Sequence, residues 1–161
     1  EFLGNPISSA KKVLSGGCKI YCDTNMIVNG LSKTILKKFN CVPYTLVSDA
    51  EVSKKAKERG VTRSIVGMEH AGKDKETKIF LIGNAPTALY KLKEMIEKNE
   101  IEKPALVVGV PVGFVGASES KEVFKETKVP YITINGRKGG STVAVSILHG
   151  ILYQIYKREG F

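Results

Sequence analysis

The stretch Ala105–Ser120, ALVVGVPVGFVGASES, decides the fold of this chain. Its first part, Ala105–Val110, is a continuous apolar run, which is typical of a parallel strand covered on both faces. Pro111 ends the run, and Gly113 and Gly116 allow sharp turns and a close approach to a ligand. A polar, helix-compatible segment follows. The stretch therefore predicts a helix N-terminus at the carboxyl end of a strand, which is where α/β sheets bind ligands and where anions are favoured.

The rest of the chain repeats this alternation of strands and helices. The predicted strands are Cys18–Cys22, Val42–Val47, Ile79–Ile82, Leu106–Val110 and Tyr131–Ile134. The predicted helices are Pro6–Leu14 with Asn5 as N-cap, Asn25–Phe39, a helix from Ser48 or Asp49 to Gly60, Thr62–Ala71, Ala85–Lys98, Ser118–Thr127 and Ser141 to about Lys157. Such alternation predicts a doubly wound, flavodoxin-like α/β fold: a mainly parallel five-stranded sheet with helices on both faces. No linker or internal repeat interrupts the sequence, so residues 1–161 are predicted to form a single domain.

Three loops follow the three clearest strands and should meet at one edge of the sheet. They are Gly83–Thr87, Pro111–Ser120 and Asn135–Ser141, and each combines glycine with small hydroxyl, amide or basic side chains at the start of a helix. Taken singly, Asn84 and Ser118 have an equally good explanation as helix caps. The convergence of the three loops favours a binding crevice.

Arg137 is the strongest candidate for contact with an anion, because its planar guanidinium can hold a carboxylate with two hydrogen bonds. Gly139 and Gly140 beside it leave room for a bulky ligand, whereas Lys138 is expected to face solvent. Arg63 is a second candidate; its alternative is a surface arginine at the start of a helix. The predicted binding residues are Arg63, Ser64, Asn84, Thr87, Gly113, Arg137, Gly139, Gly140 and Ser141. For Glu119 and Lys121, an ion pair within the chain and contact with a ligand are equal alternatives.

Several common kinds of site are disfavoured. Neither GxxxxGK[ST] nor a GxGxxG motif after a strand occurs, so the usual fingerprints of nucleotide and dinucleotide sites are missing. His149 lies in the apolar run Val143–Tyr156 and is predicted to be a partly buried structural residue, and His70 is predicted to lie on the surface. Neither histidine has an obvious serine or cysteine nucleophile.

Composition is ordinary for a globular protein, with 42% hydrophobic and 25% charged residues. No apolar run reaches the ~20 residues of a membrane span and no signal peptide opens the chain, so a cytoplasmic location is expected. Cys18, Cys22 and Cys41 are predicted to be reduced, buried thiols. A structural metal is not expected, because the two histidines are far from them in the sequence.

Four segments resemble, in the same order, the precorrin-8X methylmutases, which are also called cobalt-precorrin-8 methylmutases. They are Val61–Ser64 (VTRS), Ile82–Leu89 (IGNAPTAL), Ala105–Ser120 and Asn135–Ser141 (NGRKGGS), and Asp23–Gly30 (DTNMIVNG) also fits the family pattern. The resemblance implies an isomerase of cobalamin biosynthesis that moves a methyl group from C11 to C12 of the corrin ring. It also implies a homodimer without a cofactor, in which any cobalt belongs to the substrate.

The same resemblance places the catalytic histidine outside this sequence. In the family it belongs to a segment of the form H-x-x-x-D, and Glu1–Phe2 resembles the end of that segment. We therefore expect the chain to lack its native N-terminal segment and to hold no catalytic residue. His70 and His149 do not occupy the matching position. Either residues precede Glu1 in the native protein or this form is inactive.

The formal net charge of +9 has two explanations. Most of the excess can lie on solvated helix faces, or it can form a positive field that attracts an anionic partner. Nucleic acid is disfavoured because aromatic residues are only 7% and tryptophan is absent, whereas a macrocycle with several carboxylates fits equally well. The alternative function is a non-catalytic anion- or nucleotide-binding α/β module that uses the same loops.

Overall fold

The computed structural model describes residues 1–157, which form six strands and eight α-helices. The strands are β1 (Phe2–Leu3), β2 (Lys19–Cys22), β3 (Val42–Tyr44), β4 (Thr77–Ile82), β5 (Leu106–Gly109) and β6 (Tyr131–Thr133). The helices are α1 (Pro6–Gly16), α2 (Asn25–Gly30), α3 (Lys33–Lys38), α4 (Ala50–Arg59), α5 (Arg63–Lys73), α6 (Pro86–Glu97), α7 (Ala117–Phe124) and α8 (Ser141–Ile155). A 3-10 turn, Lys125–Thr127, extends α7.

The strands form one sheet in the order β1-β6-β5-β4-β2-β3. The strands from β2 to β6 pair in parallel, and their order is that of the flavodoxin-like fold. The five predicted parallel strands are thus confirmed. The prediction of a five-stranded sheet was nevertheless wrong by one strand, because β1 pairs antiparallel with β6. A two-residue strand is too short to produce a recognisable pattern of hydrophobicity.

Both faces of the sheet are covered, because successive residues of each strand point to opposite sides. Ile79 and Leu81 of β4 belong to a core shared with α1, α2, α3 and α8. Phe80 and Ile82 of the same strand belong to a second core shared with α5, α6 and α7. Helix α4 packs on α5 through a smaller cluster. The predicted helices on both faces are therefore confirmed.

Helix starts differ in part from the predictions. Asn5 precedes α1 in the left-handed conformation, but its side chain makes no capping hydrogen bond. The predicted helix over residues 25–39 is two helices, because Ser32 caps α3 with its side chain. Asp49, and not Ser48, caps α4 by accepting a 2.9 Å hydrogen bond from the N–H of Val52.

The predicted environment of the cysteines is confirmed: Cys18, Cys22 and Cys41 are buried free thiols. Among residues 1–157, no three histidine, cysteine, aspartate or glutamate side chains cluster as a metal ion requires. Within the same residues, no helix is sufficiently long and apolar to cross a membrane.

Candidate functional site

Asp23 occupies the point in the sheet where the order of the strands reverses. It directly follows β2 and is only 4% exposed. Its Oδ1 atom accepts a hydrogen bond from the N–H of Gly83 (2.9 Å), and Oδ2 accepts from Asn84 and Ala85 (2.8 Å each). These N–H groups precede Pro86, the first residue of α6. The chain's own carboxylate thus fills the position where this helix start would otherwise bind an anion. Burial raises the pKa of Asp23, and the three hydrogen bonds oppose that rise.

Thr24 and Ser141 connect this region to the start of α8. Thr24 caps α2 by accepting from the N–H of Ile27, and its Oγ1 atom lies 2.9 Å from the Oγ atom of Ser141. Gly83 lies against the same residue, since a Cβ atom there would be 2.7 Å from the Cα atom of Ser141. The loop after β4 can therefore contact the start of α8 only because position 83 is glycine.

The loop before α8 is fixed by backbone hydrogen bonds to the loop after β5. The N–H of Gly140 donates to the carbonyl of Val110 (2.8 Å), and the N–H of Gly113 donates to the carbonyl of Arg137 (3.2 Å). Gly139 has φ 155, and a Cβ atom there would lie 2.1 Å from the Val110 oxygen. The predicted residues Gly113, Arg137, Gly139 and Gly140 are thus brought together, and at position 139 only glycine permits the close backbone contact.

Arg137 lies beside an exposed apolar surface. Its guanidinium carbon is 5.7 Å from the centre of the Phe114 ring. The side chain of Phe114 is 84% exposed and that of Val115 is 89% exposed. No carboxylate of residues 1–157 lies within the 4.0 Å distance of an ion pair with Arg137. An unpaired cation and an apolar surface therefore adjoin at this edge.

Helices α7 and α8 both begin at this edge without a side-chain cap. Their N-cap residues are Gly116 and Gly140, and neither helix start receives a capping hydrogen bond from its N-cap side chain. The suggestion that Ser118 caps α7 was therefore wrong, and Asn84 does not cap α6, whose N-cap is Ala85. Uncapped helix starts present N–H groups and a positive partial charge.

Lys121 is buried beneath the loop that carries Arg137. Its side chain is 2% exposed, and Nζ donates a 2.8 Å hydrogen bond to the carbonyl oxygen of Lys138. Burial lowers the pKa of Lys121. For Lys121 the alternative of an ion pair within the chain was wrong, because its ammonium contacts a backbone carbonyl and pairs with no carboxylate of residues 1–157. Lys138 is exposed, as predicted.

Arg63, Ser64 and Thr87 lie on the side of the edge formed by α5 and α6. Thr62 caps α5, and its hydroxyl oxygen lies 3.3 Å from that of Thr87 in the first turn of α6. Arg63 is exposed and Ser64 is half-buried. The structure thus brings these residues to the predicted edge, in a group separate from the contacts that hold Arg137.

The two histidines have the predicted environments. The Nε2 atom of His149 accepts a 3.0 Å hydrogen bond from the N–H of Ser32 at the start of α3. Burial lowers the pKa of His149, so the neutral ring that can accept this bond is favoured. His70 is exposed, 3.3 Å from the Nζ atom of Lys55.

A separate hollow of about 370 Å³ lies at the opposite edge of the sheet, between residues 72–78 and 99–103. The helices α5 and α6 end there, so they present carbonyl groups and negative partial charge. The uncapped helix starts, Arg137 and the exposed apolar side chains all lie at the carboxyl edge, which is therefore the better candidate for a site.

Comparison with known proteins decides the family. The sequence model of precorrin-8X methylmutase matches residues 1–154. The chain belongs to this family. The cobalt-precorrin-8 methylmutase of Leptospira interrogans serogroup Icterohaemorrhagiae serovar Lai is 45% identical over 160 residues, covering 94% of this chain and 72% of that protein. The precorrin-8X methylmutase of Pseudomonas aeruginosa is 41% identical over 146 residues, covering 89% of this chain and 69% of that protein.

Solved methylmutase structures have the same fold. The precorrin-8X methylmutase of Thermus thermophilus gives a TM-score of 0.85 at 34% identity, and the match covers 95% of this chain and 74% of that one. A precorrin-8X methylmutase related protein also gives a TM-score of 0.85, at 32% identity, with 96% and 80% covered.

The predicted site of this methylmutase-family chain did not include Asp23, Thr24 or the buried Lys121. A signal for Asp23 exists, since an acidic residue directly follows an apolar strand at the point where the strand order reverses. Nothing in the local sequence indicates that Lys121 is buried, because lysine at such a position is usually solvated.

Proposed function

We propose that this isomerase of the methylmutase family moves a methyl group from C11 to C12 of precorrin-8X or cobalt-precorrin-8, giving hydrogenobyrinate or cobyrinate. Family membership supports the reaction class. The proposed binding surface is the carboxyl edge of the sheet, formed by the loops after β4, β5 and β6. The substrate is a large flat macrocycle with apolar faces and carboxylates around its rim.

The single observation that best supports this surface is the juxtaposition of Arg137 with Phe114 and Val115. Phe114 and Val115 are neighbours and both more than four-fifths exposed, and contiguous exposed apolar side chains are characteristic of binding surfaces. The ring face of the macrocycle fits against them, and a rim carboxylate fits the Arg137 guanidinium. Because Asp23 fills the start of α6, the other carboxylates are expected at the uncapped starts of α7 and α8.

The rearrangement is intramolecular, so we propose that it uses no nicotinamide, flavin or separate methyl donor, and that any cobalt arrives within the substrate. In this proposal the described residues hold and orient the ring. The proton donor is the histidine that the family resemblance places ahead of Glu1.

Glu1 lies at the same edge of the sheet as the proposed binding surface. Its α-amino group donates a 2.8 Å hydrogen bond to the carbonyl of Thr133, and the N–H of Thr133 donates back to the Glu1 carbonyl at 3.1 Å. Thr133 is the last residue of β6, so Glu1 lies at the carboxyl edge.

We also propose a cytoplasmic homodimer. The buried free thiols of Cys18, Cys22 and Cys41 fit a reducing compartment. A second subunit closing over the exposed Phe114 and Val115 would help to enclose a large macrocycle. Sedimentation at micromolar concentration tests the dimer: twice the 17.5 kDa chain mass supports it, and a monomer contradicts it for this chain.

The experiment that tests the function is an absorbance titration of the purified chain with hydrogenobyrinate, with ATP as the competing ligand. Saturable binding of the coloured corrinoid, unaffected by ATP, supports the proposal. Binding of ATP without affinity for hydrogenobyrinate would instead support a nucleotide-binding module.

A further inference from the structure

The ammonium of Lys121 is unusual in its burial and in its single partner. An ammonium has three N–H donors, yet of the described residues only Lys138 offers an acceptor, through its backbone carbonyl at 2.8 Å. No carboxylate of residues 1–157 pairs with Lys121, whereas the neighbouring Lys125 contacts both Glu1 and Glu122. Burying an unpaired charge destabilises a fold, so this arrangement calls for a role other than stability.

The loop that Lys121 contacts requires interactions that restrict its conformation. Gly136, Gly139 and Gly140 all have positive φ, so the free loop has many accessible conformations. Two backbone hydrogen bonds hold it, at Arg137 and Gly140. The Lys121 ammonium adds a charged donor at residue 138, directly after Arg137. A hydrogen bond from a charged donor is stronger than one between neutral groups.

We propose that Lys121 is a positioning residue for substrate binding. By holding the Lys138 carbonyl, it places the Arg137 guanidinium where it can bind a rim carboxylate of the corrinoid. The inference rests on the proposed function for the identity of the ligand. The hydrogen bond that Lys121 makes to the loop is independent of that function. Lys121 acts through Arg137 and does not contact the substrate.

The matched pair of variants is Lys121→Met and Lys138→Met. Each removes one positive charge from the same region, but Lys138→Met keeps the backbone carbonyl and loses only an exposed side chain. Methionine fills the space of the buried lysine without its charge, so Lys121→Met is expected to fold. The probe is hydrogenobyrinate, titrated by absorbance. We expect Lys121→Met to raise Kd roughly tenfold and Lys138→Met to raise it less than about threefold.

A double-mutant cycle with Arg137→Ala separates positioning from general structural damage. If Lys121 acts through Arg137, then Arg137→Ala weakens binding much less in the Lys121→Met background than in the unchanged chain. Additive losses, or equal effects of Lys121→Met and Lys138→Met, would overturn the inference.

Hydrogen exchange of the unliganded chain distinguishes this inference from the proposed function. Faster exchange at amides 136–140 in Lys121→Met, but not in Lys138→Met, supports the contact with the loop even if hydrogenobyrinate does not bind. Unchanged exchange in Lys121→Met would overturn the inference whatever the chain binds.

Discussion

The Oδ1 atom of Asp23 accepts a 2.9 Å hydrogen bond from the N–H of Gly83, 60 residues later in the chain. This bond joins the ends of β2 and β4, the neighbouring strands between which the strand order reverses. The proposed binding edge is therefore organised around a buried carboxylate of the protein. In the proposed binding mode, we therefore expect substrate carboxylates at Arg137 and at the uncapped starts of α7 and α8.

Asp23→Asn should destabilise the fold. In the unchanged chain, three backbone N–H groups donate to the Asp23 carboxylate. Asparagine keeps one acceptor oxygen, but its NH₂ group faces some of these N–H donors and cannot accept from them. We expect a loss of about 2–3 kcal/mol in the free energy of unfolding, measured with urea. The control is Asp49→Asn at the cap of α4, where asparagine caps as well as aspartate and the loss should stay below about 0.5 kcal/mol. Equal, small losses in both variants would contradict the proposed role of Asp23.

Phe114→Ser tests the apolar part of the surface. Because Phe114 is 84% exposed, stability should change by less than about 0.5 kcal/mol. Binding of hydrogenobyrinate should weaken by roughly tenfold, since the buried ring area is lost from the complex. The control is Tyr153→Ser. Tyr153 is also an exposed aromatic residue, but it lies twelve residues after the start of α8, which is about 18 Å along the helix from that start. Equal affinities for the two variants would show that Phe114 lies outside the binding surface.

His149 gives the fold a dependence on pH. Burial lowers its pKa from 6.5, and only the neutral ring accepts the N–H of Ser32. A base whose pKa is lower in the folded state contributes stability above its unfolded pKa, and this stability is lost as pH falls through the folded value. We expect the free energy of unfolding to fall from this source as the pH is lowered from 7 to 5.

The check is urea unfolding at both pH values for His149→Gln and for His70→Gln. In His149→Gln the decrease in the free energy of unfolding between pH 7 and pH 5 should be much smaller. In His70→Gln it should be unchanged, because His70 is exposed and caps no helix. Glu69 also has a shifted pKa, but it does not contribute to the change in stability between pH 7 and pH 5. Its ion pairs with Arg59 and Lys91 hold its pKa at about 2, so its contribution is lost below pH 4.5. An unchanged fall in His149→Gln would contradict the assignment.

Local patterns predicted the parallel sheet well. The apolar runs of β4 and β5 are buried on both faces, which is the condition that produces such runs. A cap at Ser48 or Asp49 was predicted, and the side chain of Asp49 bonds within the first turn of α4. The break at Ser32 was missed although Gly30 and Ser32 are of the types favoured at a helix end and at a helix start. His149 also stabilises this break, from 117 residues away.

The candidate site was predictable at the level of loops, and less so at the level of contacts. Parallel strands bring their carboxyl ends to one edge, so the convergence of the glycine-rich loops follows from the order of elements. The contact of Asp23 with α6 and the burial of Lys121 depend on partners distant in sequence. Local spacing carries no information about such partners.

The most direct test of the account is the affinity of Arg137→Ala for hydrogenobyrinate, measured by absorbance titration beside Lys138→Ala. If Arg137 holds a rim carboxylate, its loss should cost ~1.5–3 kcal/mol of binding, or roughly ten- to a hundredfold in Kd. The melting temperature should change little, because Arg137 is exposed. Lys138→Ala should have a smaller effect that fades in high salt. Unchanged affinity in Arg137→Ala, or a collapse of its stability, would contradict the placement of the binding site at this edge.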